Sequence, residues 1–220
     1  MNFHGRAKRL DDIDLPRIGA LIGVGEDELH AVIDVEARNS GFDRQGRPAM
    51  LFEPHVFWRE LGEGHRRDTA AAQGLAYPRW GMKSYPADSY PRLEAAMRID
   101  ERAALRSASW GLGQIMGFNA GLAGYEGAAE MVRAFLDDEE EHLEAMVRFI
   151  VNAGLDDELR AHDWRGFARG YNGPGYARHG YHTRLEARFR WWRSKPDTPW
   201  SQATGAACPA PGEPGATVDP

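Results

Sequence analysis

A chain of 220 residues with 42% hydrophobic and 27% charged residues is long enough to close one full core. Its net charge of -6 excludes a general nucleic-acid binder, and its one cysteine, Cys208, excludes an internal disulfide. No stretch approaches the ~18 consecutive apolar residues of a membrane span, and the N-terminus carries basic residues without the apolar run of a secretory signal.

In chain order, Asp14 with Pro16 in the first turn predicts a helix to about Val24. A second helix starts at the acidic pair Glu26-Asp27, which suits the positive end of a helix dipole. It carries Leu29, Val32, Ile33 and Glu36 on one face and breaks at Asn39-Ser40-Gly41. Residues 42–53 read as a hairpin or irregular segment: a Gly46/Pro48 turn, then the apolar run Met50-Leu51-Phe52. Pro54 opens a helix through Leu61. Residues 62–88, rich in Gly, Pro and aromatics, read as a long surface loop with some helix.

Further helices are predicted over residues 89–107, 109–116, 126–137, 139–153, 156–169 and 181–194. The helix from Glu139 places Leu143, Met146, Val147 and Ile150 on one face and ends at Gly154. Residues 195–220 hold six of the 13 prolines in an Ala/Gly/Ser/Thr background and read as a disordered tail. The expected architecture is therefore mainly α, with residues 1–194 as one domain.

Three clusters can carry chemistry. Glu36 continues an apolar stripe at a helix C-terminus, where low dielectric and the negative dipole end both favour a protonated carboxyl, the state a general acid needs. Pairing with Arg38 or Arg47 is the structural alternative. Asp43 and Glu53 follow as candidates for the second carboxylate of a glycosidase, with a turn residue and a helix-terminal charge as their alternatives. Ser109-Trp110-Gly111-Leu112-Gly113-Gln114 offers a ring platform in Trp110 and an amide in Gln114 for a sugar N-acetyl group. Gly170-Tyr171-Asn172-Gly173-Pro174-Gly175 sets a tyrosine and an asparagine on a constrained turn. The eight histidines form no zinc motif, no Gly-x-Ser-x-Gly elbow is present, and no metal or cofactor is expected.

In this order the clusters resemble the lysozyme superfamily, goose-type lysozymes and lytic transglycosylases among them. The resemblance is closer to the phage N-acetylmuramidase (endolysin) family, through Gly41-Phe42, Gly46-Arg47-Pro48 and Leu51-Phe52-Glu53 after the catalytic Glu. It spans roughly residues 10–193. It departs at Ala37, where relatives often carry Thr or Ser, and in having no room for a separate peptidoglycan-binding module. The resemblance implies a lysozyme-like helical fold and cleavage of the β-1,4 bond between N-acetylmuramic acid and N-acetylglucosamine. Glu36 is then the acid, Glu53 lines the cleft, and Gln114, Tyr171 and Asn172 bind sugar. A lytic transglycosylase and a non-catalytic glycan-binding protein are the alternatives. Peptidoglycan is the expected partner of a monomer held in the host cytoplasm and released to the periplasm through a holin. The segment from Ala177 to Lys195 has six basic residues against one acid, a candidate face for an anionic envelope surface.

Overall fold

A computed structural model describes residues 1–37, 40–201, 203, 206 and 207. Among them the chain divides into two compact units: Met1–Arg9 with Glu36–Ala153, and Leu10–Val35 with Gly154–Pro220. No helix among the described residues is long and apolar enough to cross a membrane.

The second unit holds α1 (Asp14–Ala20), most of α2 (Glu26–Glu36), α8 (Asp156–Arg160), α9 (Trp164–Asn172) and α10 (Tyr181–Trp192). In α2 the predicted stripe is the buried one: Leu29, Val32 and Ile33 face inward. They join Leu159, Phe167, Leu185 and Phe189 in this unit's core. The expected helix over 156–169 is broken in two, because His162 takes a left-handed φ of 56°. Asp163 then restarts the helix by accepting from the Gly166 amide at 3.0 Å. Across the unit, Asp34 accepts from Arg188 Nε at 2.6 Å and from the Trp192 indole at 2.8 Å. That indole ring stacks 3.7 Å from His30. Arg188 is thus paired, and Arg190 bonds Glu186, so part of the basic segment is neutralised within the unit. Of the residues read as a tail, Thr198 donates its amide to Glu26, and Trp200–Ser201 pairs with Ala206–Ala207. Cys208 and all that follows lie outside the described residues.

The first unit is built on a three-stranded antiparallel sheet in the order β1 (Met50–Phe52), β2 (Ala108–Trp110), β3 (Ile115–Met116). Here the expected helix over 109–116 is replaced by a hairpin. Gly111 and Gln114 both take left-handed φ values, 68° and 45°, which turn the chain and return it as β3. Backbone pairing with β1, Met50 opposite Trp110 and Phe52 opposite Ala108, decides the outcome. Residues 42–53 do hold a tight turn, with an antiparallel bridge from Phe42 to Pro48, but β1 pairs with β2 rather than within its own segment.

Around the sheet stand α3 (Pro54–Leu61), α4 (His65–Ala72), α5 (Tyr90–Arg106), α6 (Ala128–Ala134) and α7 (Glu139–Asn152). Pro54 opens α3 and Pro91 sits in the first turn of α5, where a missing amide proton costs nothing. Helix α5 is interrupted at Asp100, whose φ of -158° is extended. In α7, Asp138 caps the start by accepting from the Glu140 amide, and the predicted face Leu143, Met146, Val147 and Ile150 is buried. Residues 1–9 lie against the start of α7 through paired backbone bonds between Lys8 and Asp137 and Glu139, both 2.9 Å.

Candidate active site

Glu36 is the last residue of α2 and is half-buried. No basic residue stands in the last turn of that helix. From Gly41 the chain is tightly held. Gly41 donates its amide to the buried Glu139 carboxylate at 2.7 Å and accepts from Ala49 at 2.6 Å. A Cβ at Gly41 would lie 2.3 Å from His142 Nδ1, so only glycine lets this segment lie on α7. Gly111 meets the same obstacle: a Cβ there would sit 2.8 Å from the Phe135 ring and 2.9 Å from His142 Nδ1. The two glycines that frame the site motifs thus converge on one histidine.

His142 is completely buried among Phe42, at 4.9 Å, and Phe135, at 4.3 Å. Its Nε2 lies 2.8 Å from the Phe135 carbonyl. A carbonyl only accepts, so Nε2 carries the proton. Burial pushes the pKa down to about 4, against which the Phe135 bond acts only weakly. The ring is a neutral wedge, not a proton carrier.

The two candidate second carboxylates differ in what they do. Asp43 is occupied by its own turn: Oδ1 accepts from the Gln45 amide at 2.8 Å and the Arg47 amide at 3.0 Å. Its Oδ2 receives Arg47 Nε and Nη2, both at 2.7 Å. Arg47 also reaches Asp88 at 3.2 Å and lies 3.9 Å over the Tyr90 ring. Glu53 stands where β1 ends and α3 begins, its backbone extended (φ -107°, ψ 94°) and its amide donated to Ser107 at 2.9 Å. Its side chain is 15% exposed; Oε2 accepts from the Tyr85 hydroxyl and lies 3.2 Å from His55 Nδ1.

The residues assigned to sugar binding fall differently. Trp110 is fully buried, its ring 5.9 Å from Phe3 and its indole N–H donated to the Leu105 carbonyl at 3.1 Å. It belongs to the core and offers no ring face, which corrects the platform expected from sequence. Ser109, 7% exposed, donates to Gln114 Oε1 at 2.9 Å. Gln114 Nε2 donates to the carbonyls of Gly111, at 2.9 Å, and Ala49, at 3.3 Å. Its amide therefore braces the β2–β3 turn and ties it to the segment before β1. Tyr171 and Asn172 belong to the second unit, where α9 runs two residues past the turn expected at Gly170. Tyr171, half-buried like Asn172, stacks 5.3 Å from the buried Phe167.

The structure brings Asp43, Glu53, Ser109, Trp110 and Gln114 together around one sheet, with Glu36 on the segment that leads into it. Tyr85, His55 and His142 were not singled out by sequence. Tyr85 lies in the stretch 62–88, which has no period to read.

A small sheet flanked by helices, with a half-buried glutamate ending one helix and a second glutamate at the sheet edge, defines a lysozyme-like glycoside hydrolase. The profile of the N-acetylmuramidase family matches residues 26–193, and the chain belongs to that family. It is a peptidoglycan muramidase. Among solved structures it is similar to the crystal structure of the Burkholderia AP3 phage endolysin. The two are 35% identical with a TM-score of 0.72, over 85% of this chain and 72% of that one. A comparison with curated protein sequences found no match.

Proposed function

We propose that the chain hydrolyses the β-1,4 bond between N-acetylmuramic acid and N-acetylglucosamine, with Glu36 as general acid and Glu53 as second carboxylate. A general acid must carry its proton when substrate binds, and Glu36, which ends a helix half-buried, is placed as the candidate for that role. It can deliver its proton to the departing glycosidic oxygen as positive charge grows on the anomeric carbon. The Glu53 carboxylate stabilises that charge, water adds at the anomeric carbon, and the proton released returns to a carboxylate. The observation that carries this division of roles is the contrast between Asp43, closed into a turn by Arg47, and Glu53, held at the end of β1. Gln114 and Ser109 act by bracing the β2–β3 turn.

The likeness to a phage endolysin supports action at the end of a phage cycle. A monomer accumulates in the host cytoplasm and passes through a holin lesion to the wall. Arg184 and Arg193 of the basic segment assist contact with anionic envelope polymers.

Turbidity loss of outer-membrane-permeabilised Gram-negative cells tests the roles. Glu36→Gln and Glu53→Gln should each fall by about 10²-fold or more, and Asp43→Asn far less. Wild-type lysis by Glu36→Gln refutes the assignment. Mass spectrometry of the released sugars should show reducing ends; 1,6-anhydro ends would make the chain a lytic transglycosylase.

A further inference from the structure

Within the second unit, the start of α2 and the residues after α10 enclose a cavity of about 450 Å³. Three carboxylates from two stretches of chain line it: Glu26 and Asp27 open α2, and Asp197 follows α10. The Thr198 amide donates to Glu26 Oε1 at 2.5 Å and ties the two stretches together. The other oxygen, Oε2, is buried without a partner among the described residues, on a residue only 8% exposed. Asp27 and Asp197 have no hydrogen bond or ion pair among the described residues either. The neighbouring Glu28, by contrast, is taken by His162 at 2.6 Å and by the Gly25 amide at 2.9 Å. The positive end of α2 accounts for acids in its first turn. It does not account for a third acid brought to them by another segment, nor for a buried carboxylate oxygen with no donor, which is costly. Burial, then Asp197, Glu28 and Glu26, outweigh Arg193 and push the Asp27 carboxyl up to about 6. On the same cavity the Trp200 indole N–H is also buried and unpartnered among the described residues.

We propose that this cavity binds a primary ammonium group carried on an aliphatic chain, with Glu26, Asp27 and Asp197 as its acceptors. An ammonium has three donors and no acceptor, which matches carboxylates arriving from three residues. Glu26 offers one oxygen, not the pair that a planar guanidinium grips. A metal ion is a poorer fit, because no group of three or more His, Cys, Asp and Glu among the described residues is spaced to hold one. The methylenes of the ligand meet apolar walls in Pro16, Val24, Pro199 and Trp200. Two sources present this chemistry to a peptidoglycan muramidase: the diamino acid of a wall stem peptide, and a free diamine of the bacterial cytoplasm. The Trp200 N–H can only donate, which favours the first, where a carboxylate stands beside the ammonium. The site stands whether or not Glu36 and Glu53 hold the roles given them above.

The test is calorimetric titration of the full chain at pH 7.5 and fixed ionic strength. The probes are the tripeptide L-Ala-γ-D-Glu-meso-diaminopimelate and 1,5-diaminopentane. Each should bind saturably at one site per chain, and Tm should rise with probe concentration, as it does for any ligand of the folded state alone. Tighter binding of the tripeptide supports the stem peptide as the source; tighter binding of the diamine keeps the ammonium site and overturns that source. Asp197→Asn, at an exposed position, and Glu26→Gln, which keeps an oxygen for the Thr198 amide, should each weaken both probes about tenfold. Glu63→Gln removes the same charge from the first unit and should leave Kd unchanged. Trp200→Phe should weaken the tripeptide and spare the diamine. Tetramethylammonium has the charge without the donors and should bind at least about tenfold more weakly than the diamine. Absence of saturable binding by either probe overturns the site, and so does binding that survives Asp197→Asn unchanged. Equal binding of tetramethylammonium overturns recognition of the ammonium group.

Discussion

His142→Gln should flatten the acid side of the stability profile. The folded chain keeps this imidazole neutral down to about pH 4, whereas an unfolded chain protonates it near 6.5. Between those values unfolded molecules hold a proton that the folded core refuses, so stability falls as pH falls, and the loss is complete below about 4. At ~1.4 kcal/mol per pH unit the window amounts to roughly 3 kcal/mol. Glutamine keeps an amide donor for the Phe135 carbonyl and does not titrate. It fits the pocket less well, and should cost about 1–2 kcal/mol at pH 7.5. The difference between wild type and variant, measured by urea unfolding at pH 7.5, 6.0 and 4.5, should therefore shrink and then reverse. Other titrating groups cancel in that difference. For a chain of this size the change corresponds to several degrees in Tm, since 1 kcal/mol shifts Tm by about 2–4 °C. A difference constant across the three pH values would refute the account of His142 as a neutral wedge.

Gly111→Ala must strain a left-handed backbone and push a methyl group into Phe135 and His142, so a loss of about 2 kcal/mol or more is expected in thermal unfolding. Asp27 behaves oppositely to His142. Burial, then Asp197, Glu28 and Glu26, raise its pKa to about 6, so the stability it allows is complete below its ordinary 3.8 and is lost as pH rises through about 6. Asp27→Asn should raise Tm at pH 7.5, by no more than about 1 kcal/mol equivalent after solvent screening, and leave it unchanged at pH 4. Gln114→Ala removes donors to two carbonyls and should cost about 1–3 kcal/mol, while Gln114→Glu, which cannot donate when ionised, should cost at least as much by chemical denaturation.

Helix periodicity is a local property, and the chain announced it plainly. The faces Leu29-Val32-Ile33 and Leu143-Met146-Val147-Ile150 are buried as their spacing requires, because residues three and four apart share one side of any helix. Glu36 at the end of its stripe, and Pro54 at the start of α3, were legible for the same reason. What those elements touch is not local. Trp110 reads as a binding surface in its glycine-rich motif, yet strand pairing with Met50 and contact with Phe3 place it in the core. The segment 109–116 follows β1 into a sheet because its backbone groups find partners about sixty positions earlier, which no window of sequence contains. Gly41 and Gly111 look like loop punctuation and turn out to be clearance for a distant histidine. That Asp43 is closed into its own turn by Arg47, while Glu53 receives the Tyr85 hydroxyl, is likewise a matter of neighbours. Sequence therefore determined the helices whose apolar residues recur every three to four positions, and which carboxylate ends one of them. Tertiary structure decided which polar groups are paired, because desolvation and hydrogen bonding depend on neighbours that only folding brings within reach.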